Sequence, residues 1–464
     1  MNQPATAAES APVPRRPHAT DAAQLQQFLV RHGFHALLFL CGVCAWAFKL
    51  KGDGNSEGGM LPYSPIQMLV PLLGVGSLLW LVGVYGRNLP PLTVARRSTW
   101  CLKLGIALII LGASVHLRGG GGKDAAMFVV RWLLPVCFLL FFTLGRTYGA
   151  SPLALLLGLV GGAVITAFSV EAVRRFGVGL PISAGDAGRD SGYLNGPNQY
   201  GILCSTTAPV LLFFYYSPRR LLRLASLLLL PLYLLCLYQN LSKTNIVLFF
   251  LTLLAGALAL SLRNPRRLVA TLGLTVGLLV FIGLTLGLAM SALRDVAPKS
   301  AQTLEDAFFN PTEARSIDTR EGVWEAALDN IQRHPVIGIG PGKAMGALGI
   351  AHAHNLFLEI YLDAGFAGFT GMCFLALAVF WRAGELLLEE IRRRTPTTDA
   401  QMLQLLAGLA LVTYLLANSM SDSFSTATMP AFMFFAAIAF APEPPRMPAA
   451  VGGRRKTPFS VSPE

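Results

Sequence analysis

The chain has 464 residues, 53% of them hydrophobic and 13% charged, with a mean hydropathy of +0.55. That balance excludes an ordinary soluble globular domain and gives an integral membrane protein. The formal net charge of +12 does not point to nucleic acid, because the basic residues fall in short loops between apolar runs, where membrane topology accounts for them. Cys41, Cys44, Cys101, Cys137, Cys204, Cys236 and Cys373 lie in apolar runs, so they give no disulfide framework, and the Cys41–Cys44 pair reads as packing.

Residues 1–32 are rich in Ala and Pro, carry Arg15, Arg16 and His18, and lack the apolar core and cleavage site of a signal peptide. A disordered cytoplasmic tail is expected there. Apolar segments follow at 33–50, 64–85, 99–117, 126–145, 151–170, 197–216, 224–240, 244–262, 269–290, 355–381, 402–418 and 425–441. The expected fold is an all-α polytopic membrane protein, with about twelve transmembrane helices over 33–441 and a periplasmic subdomain of short helices between the ninth and tenth. Arg87, Arg96, Arg97, Arg146, Arg219, Arg220, Arg223, Arg263, Arg266, Arg267, Arg382 and Arg392–Arg394 all fall on one side in that count. The positive-inside rule makes this side the cytoplasm, with both termini there, including the 442–464 tail bearing Arg454, Arg455 and Lys456.

Two outer loops are large. The loop 171–196 ends in Gly192-Tyr-Leu-Asn-Gly-Pro197-Asn198, turn chemistry in which Pro197 suits the first turn of a helix and fixes Asn198 near the membrane surface. In 291–353, residues 321–333 have helical periodicity and form an amphipathic helix able to lie on the bilayer. His334-Pro-Val-Ile-Gly338-Ile-Gly340-Pro-Gly342 then gives a loop that exposes its backbone.

His354 stands where this loop runs into a long apolar segment, and an imidazole there exchanges a proton near neutral pH. Gly365, Gly368 and Gly371, three residues apart, are expected to let a neighbouring helix approach closely. Asn355, Glu359 and Asp363 are four apart and share one face, which should look into a cavity or a protein interface rather than lipid. Arg131, inside the fourth apolar segment, is costly to leave unpaired. His352 and His354 offer two nitrogens with no third ligand nearby, so no metal is expected. Gly119–Gly122 precede Lys123 without a following Ser or Thr, so there is no nucleotide-binding loop. No cofactor is expected.

The motif 354–371, together with Arg320, Trp324, the 334–340 run and the entry at Gly192–Asn198, resembles the O-antigen ligase family, which also contains O-antigen and exopolysaccharide polymerases. Where that family has Ser-Arg at a span entry, this chain has Ser242-Lys243. The resemblance implies a Gram-negative inner-membrane glycosyltransferase acting at its periplasmic face. Its donor is a glycan on undecaprenyl diphosphate and its acceptor a sugar hydroxyl of lipid A-core, with inversion and without metal. It makes His354 the catalytic base. Arg189, Lys243 and Arg320 become candidates for the diphosphate, with Asn198, Asn355 and Glu359 as further substrate-binding positions. Membrane lipids are the remaining expected partners. A polymerase of the same family is one rival reading. A lipid-linked glycan transporter or flippase, suggested by many spans and an intramembrane arginine, is another.

Overall fold

The computed structural model describes residues 19–46, 65–85, 93–118, 122–180, 182–184, 190–194, 196–240, 242–262, 268–269, 273, 294, 315–349, 353–393, 395, 397–421 and 428–442. The described residues are helical nearly throughout: α1 (Ala19–Cys44), α2 (Pro65–Tyr85), α3 (Arg97–Ser114) with a 3-10 turn at Val115–Arg118, α4 (Gly122–Thr147) and α5 (Pro152–Phe176) come first. A small antiparallel hairpin pairs β1 (Ser183–Ala184) with β2 (Asp190–Gly192). Then follow α6 (Pro197–Tyr216), α7 (Arg220–Asn240), α8 (Lys243–Ser261), α9 (Arg315–Arg333), α10 (Ala344–Leu348), α11 (Leu356–Arg392), α12 (Asp399–Ser421) and α13 (Met429–Phe440).

Among the described residues eight helices are long and apolar enough to cross a membrane: α2, α3, α4, α5, α7, α8, α11 and α12. Shorter apolar helical stretches lie at Phe28–Cys44 and Met429–Phe440. The protein is therefore an all-α, multi-pass membrane protein. Of the apolar segments read from the sequence, the ninth, 269–290, falls outside the described residues except at 269 and 273.

The stretch expected as a tail is partly helix, since α1 begins at Ala19. Pro12, Pro14 and Pro17 precede that point, and the Ala-, Gln- and Leu-rich run after them has high helix propensity. The expected loop at 171 starts later, because α5 continues to Phe176 before Gly177 closes it in the left-handed conformation. Pro197 does occupy the first turn of α6.

Helices α3 and α11 form the most intimate pair in the bundle. A Cβ on Gly105 would lie 2.7 Å from Gly371 O, and one on Gly371 would lie 2.6 Å from Gly105 O. Here two backbones touch, the small-residue packing expected between membrane helices. Farther along the crossing, a Cβ on Gly112 of α3 would lie 3.0 Å from Gly368 N, so two of the three spaced glycines, Gly368 and Gly371, lie where α3 approaches. Gly368 is constrained by its own helix, where a Cβ would meet Ala364 Cβ and lie 3.0 Å from Ile360 O, and Gly365 by a loop that packs on it. The expectation of close helix approach holds for Gly368 and Gly371, which lie beyond the break, and not for Gly365, where the helix is interrupted and the 334–342 loop packs instead.

Gly371→Val should therefore force α3 and α11 apart and cost about 2 kcal/mol or more, lowering the thermal midpoint of the detergent-purified protein. Gly76→Ala in α2, where no atom lies within 4 Å of the added methyl, should leave the midpoint unchanged or raise it; equal losses in both variants would refute the close crossing.

Candidate active site

Helix α11 is 37 residues long, but Gly365 (φ 63°, ψ −159°) interrupts it. The interruption removes the helical bond that Phe366 N–H would donate to Leu362 C=O. Both groups find partners in the 334–342 loop instead: Phe366 N donates to Val336 O (3.0 Å), while Ile339 N (2.8 Å) and Gly340 N (3.1 Å) donate to Leu362 O. The loop thus inserts its own backbone where the helix lacks one, which satisfies groups that burial would otherwise orphan. A Cβ on Gly338 (φ 71°) would lie 2.7 Å from Tyr361 O, so the turn has to be glycine at that point. From the 3-10 turn after α3, His116 Nε2 is bonded to Ile337 O at 2.8 Å and holds the loop from outside.

This docked loop leads back to α11, where His354 precedes the first turn. His354 has φ 51° and, among the described residues, is the one non-glycine with positive φ. Such a backbone costs about 1–3 kcal/mol and persists only where its surroundings over-determine it. They do so here on both sides. Buried Ala353 donates its N–H to Glu359 Oε2 (2.7 Å) and accepts at its C=O from Trp324 Nε1 of α9 (3.0 Å). On the other side Asn355 caps α11, its Oδ1 accepting from Phe357 N (3.0 Å) and Leu358 N (3.3 Å). The imidazole is therefore carried on a short strained link between two anchored residues. Glu359 and Asn355 have protein backbone as their observed partners and act on the site by positioning His354.

The other candidates gather at the same end of the bundle. Helices α8 and α12 run antiparallel, with Thr252 and Thr413 bonded at mid-length (2.6 Å), so the start of α8 lies at the end where α12 finishes. That end is joined to α9 by Arg320 Nη1, which donates to Met420 O at 2.7 Å. Lys243 is the first residue of α8. Its neighbours tie α8 to α6: Ser242 Oγ donates to Asn198 Oδ1 (3.3 Å), Asn245 Nδ2 to Ser242 Oγ (2.8 Å) and to Asn198 O (3.4 Å). Asn198 accordingly fastens the span entry that presents Lys243. Arg189 lies outside the described residues; its neighbour Asp190 pairs with Arg174, and burial pushes the Asp190 carboxyl above its ordinary range against the pull of that arginine. His352 also lies outside them, whereas Asn418–Ser421 form the last turn of α12.

At the opposite end, Arg382 donates to Ala439 O (2.8 Å) and pairs with Glu385 (3.2 Å), while Arg96 pairs with Glu389. A groove lined by Arg96, Glu385, Leu388, Glu389, Arg392 and Arg393 opens there, far from His354. Its charges are mutually compensating, as expected of a helix end that leaves the membrane.

Sequence reasoning missed His116, an isolated histidine outside any motif. Its one legible sign was its place at the same side of the membrane as the 334–342 run. Arg131 and Asp124 of α4 act electrostatically on each other, and Asp363 of α11 acts on Arg131 as well; the spacing of Asp363 from Glu359 was legible, its facing partner in α4 was not. Among the described residues no three His, Cys, Asp or Glu side chains cluster as a metal site.

The class the fold and site define is a multi-pass membrane protein with His354, Lys243 and Arg320 at one end of its helix bundle. Residues 226–373 match the family model described as O-antigen ligase, so the resemblance carried by the motifs stands, and the match takes in α7, α8, Arg320, Trp324 and His354. A comparison with curated proteins gives no match.

Trp324→Phe keeps the ring but leaves the buried Ala353 carbonyl without its donor, at a cost of about 1–3 kcal/mol. The expected outcome is a modest fall in thermal midpoint with accelerated hydrogen exchange at 353–358. Unchanged exchange in that segment would show that Trp324 does not hold the link.

Proposed function

We propose that the protein is an O-antigen ligase, transferring a glycan from undecaprenyl diphosphate to a sugar hydroxyl of lipid A-core at the periplasmic face of the Gram-negative inner membrane. The observation that carries this reading is His354, set on a strained backbone between two anchored residues within the part of the chain that matches the family model. Side chains that the chemistry needs stand with it at one end of the bundle, which favours an enzyme over a transporter, whose site would lie at mid-depth and open to both sides.

In this mechanism the neutral imidazole of His354 takes the proton of the acceptor hydroxyl as its oxygen bonds to the anomeric carbon of the donor. The bond from that carbon to the phosphate oxygen breaks, and the configuration inverts. Charge grows on the departing diphosphate, and Lys243 with Arg320 stabilises it. Lys243 supplies a compact point charge where the family carries a guanidinium, so the leaving group is held by attraction more than by a bidentate fork. Diphosphate is already a good leaving group, and the reading needs neither metal nor cofactor. Orientation of the bundle with this end in the periplasm follows the arginine distribution of the loops.

The backbone of His354 dictates the test. Asparagine tolerates the left-handed region better than alanine, so His354→Asn removes the base while preserving the link. With purified protein, lipid-diphosphate-linked glycan and lipid A-core, transfer should fall roughly 10²- to 10⁴-fold while the thermal midpoint is retained. Near-normal transfer would remove His354 as the base. Lys243→Ala should depress kcat, with partial recovery in Lys243→Arg; no change in either would exclude it from leaving-group stabilisation. Offering lipid A-core and a second lipid-linked repeat as competing acceptors separates ligase from polymerase: product on the second repeat alone would make the protein a polymerase.

A further inference from the structure

The loop that docks into the α11 break turns two apolar side chains away from the protein. Val336 is 73% exposed and Ile337 47%, although their main chains are fixed: Phe366 N donates to Val336 O, and His116 Nε2 is bonded to Ile337 O. Those bonds set the two residues beside Phe366 of α11, 60% exposed, and beside the exposed Val115 and Leu117 that flank His116. Phe366, Val115 and Leu117 belong to segments apolar and long enough to cross a membrane. Val336 and Ile337 belong to none, yet they extend the same surface.

Helix rise fixes the depth at which this surface lies. Helix α11 has 37 residues, about 55 Å at 1.5 Å each, far more than the roughly 30 Å that a hydrocarbon layer needs. Its two parts differ in what they expose. Residues 356–364 include Leu356, Phe357, Leu358, Ile360 and Leu362, yet none of these is exposed, and Phe366 is the first large apolar side chain of α11 that is. From Phe366 to Glu385, which pairs with Arg382 and accepts from Ser98 at the start of α3, the rise is about 28 Å. On α3 the rise from Arg97 to His116 is also about 28 Å. Two antiparallel helices thus measure one hydrocarbon thickness between the charged cluster at one end and the docked loop at the other.

We propose that the 334–342 loop is seated in the bilayer leaflet on the His354 side, with Val336 and Ile337 among the acyl chains, and that Gly365 marks the edge of the hydrocarbon. The occupant of this apolar surface is lipid, because it continues the lipid-facing sides of α3 and α11 at the depth where their spans end. Irregular backbone is tolerated at that depth only when its polar groups are paired. Val336 O, Ile337 O, Gly338 N, Ile339 N and Gly340 N all are. Exposed Arg118 and His334 adjoin Leu117 and Val336 in sequence, the basic rim that headgroups attract. The helical stretch 356–364, and His354 with it, then stands outside the hydrocarbon, and the bilayer itself holds the loop against the break. Seating of the loop follows from the spans, whatever substrate His354 serves.

The experiment replaces Val336, Phe366 or Leu358 by the photoreactive residue p-benzoylphenylalanine in the full-length protein, held in nanodiscs of phosphatidylethanolamine and phosphatidylglycerol. After irradiation the intact mass is read. The variants at Val336 and Phe366 are each expected to gain the mass of one phospholipid. The variant at Leu358, which packs on Ala327 and Ile331 of α9, is expected to cross-link within the chain and gain none. A cross-link from position 336 to a second copy of the chain, or to another part of its own chain, would name a different occupant and overturn the proposal. So would the lack of any phospholipid adduct there. Phospholipid on position 358 would carry the hydrocarbon past the break and overturn the boundary at Gly365, and none on position 366 would remove the depth on which the loop's seating depends. Should the bulky residue at 336 prevent folding, the same replacement at Ile337 gives the same readout, with the same outcomes for and against.

Discussion

The site depends on a single missing helical hydrogen bond. At Gly365 the α11 backbone leaves helical geometry, and Leu362 C=O and Phe366 N–H, which would have bonded each other, are taken up by residues 336–340. Buried backbone groups have to be paired, so break and loop require each other: without the loop α11 would carry orphaned groups, and without the break the loop would have nothing to bond. The segment carrying His354 is held by this exchange rather than by the continuity of a long helix. It is an independent short helix, capped by Asn355 and anchored through Ala353 to Glu359 and Trp324.

Side chains from well-separated parts of the chain converge there by a division of labour. Of those proposed to carry chemistry, His354 and Lys243 are positioned by neighbours that have little to offer a reaction themselves, and Arg320 ties α9 to the end of α12. Ser242, Asn245 and Asn198 fasten the entry of α8, and Trp324 and Glu359 hold Ala353. Function held on rigid elements by a shell of backbone-directed hydrogen bonds is what precise placement of an acid or base requires.

Much of this was legible in the sequence, and what was not has a physical reason. Hydropathy located the apolar helices because their length and composition are set by the bilayer alone. The turn chemistry at Pro197 and the start of α11 at His354-Asn355 are local, and both fell where local rules place them. Gly368 and Gly371 were legible as a close-approach face, but Gly365 was not legible as a break, because spacing assumes an unbroken helix and the break is fixed by a partner loop more than twenty residues upstream. His116 acts across 221 residues of chain, and Asp363 acts electrostatically on Arg131 from another helix; no periodicity within either segment encodes such relations. Asn198, Asn355 and Glu359 were legible as important positions, but their hydrogen bonds run to the protein itself.

The contact of α3 with α11 limits how a lipid-borne molecule can arrive. Where Gly105 and Gly371 bring two main chains together, no acyl or isoprenoid chain has room to slip between them, so that seam is shut to the bilayer along its length. On the proposed function, a polyisoprenyl tail serving the polar end lies against another flank of the bundle, and its head group enters over the rim rather than through that seam.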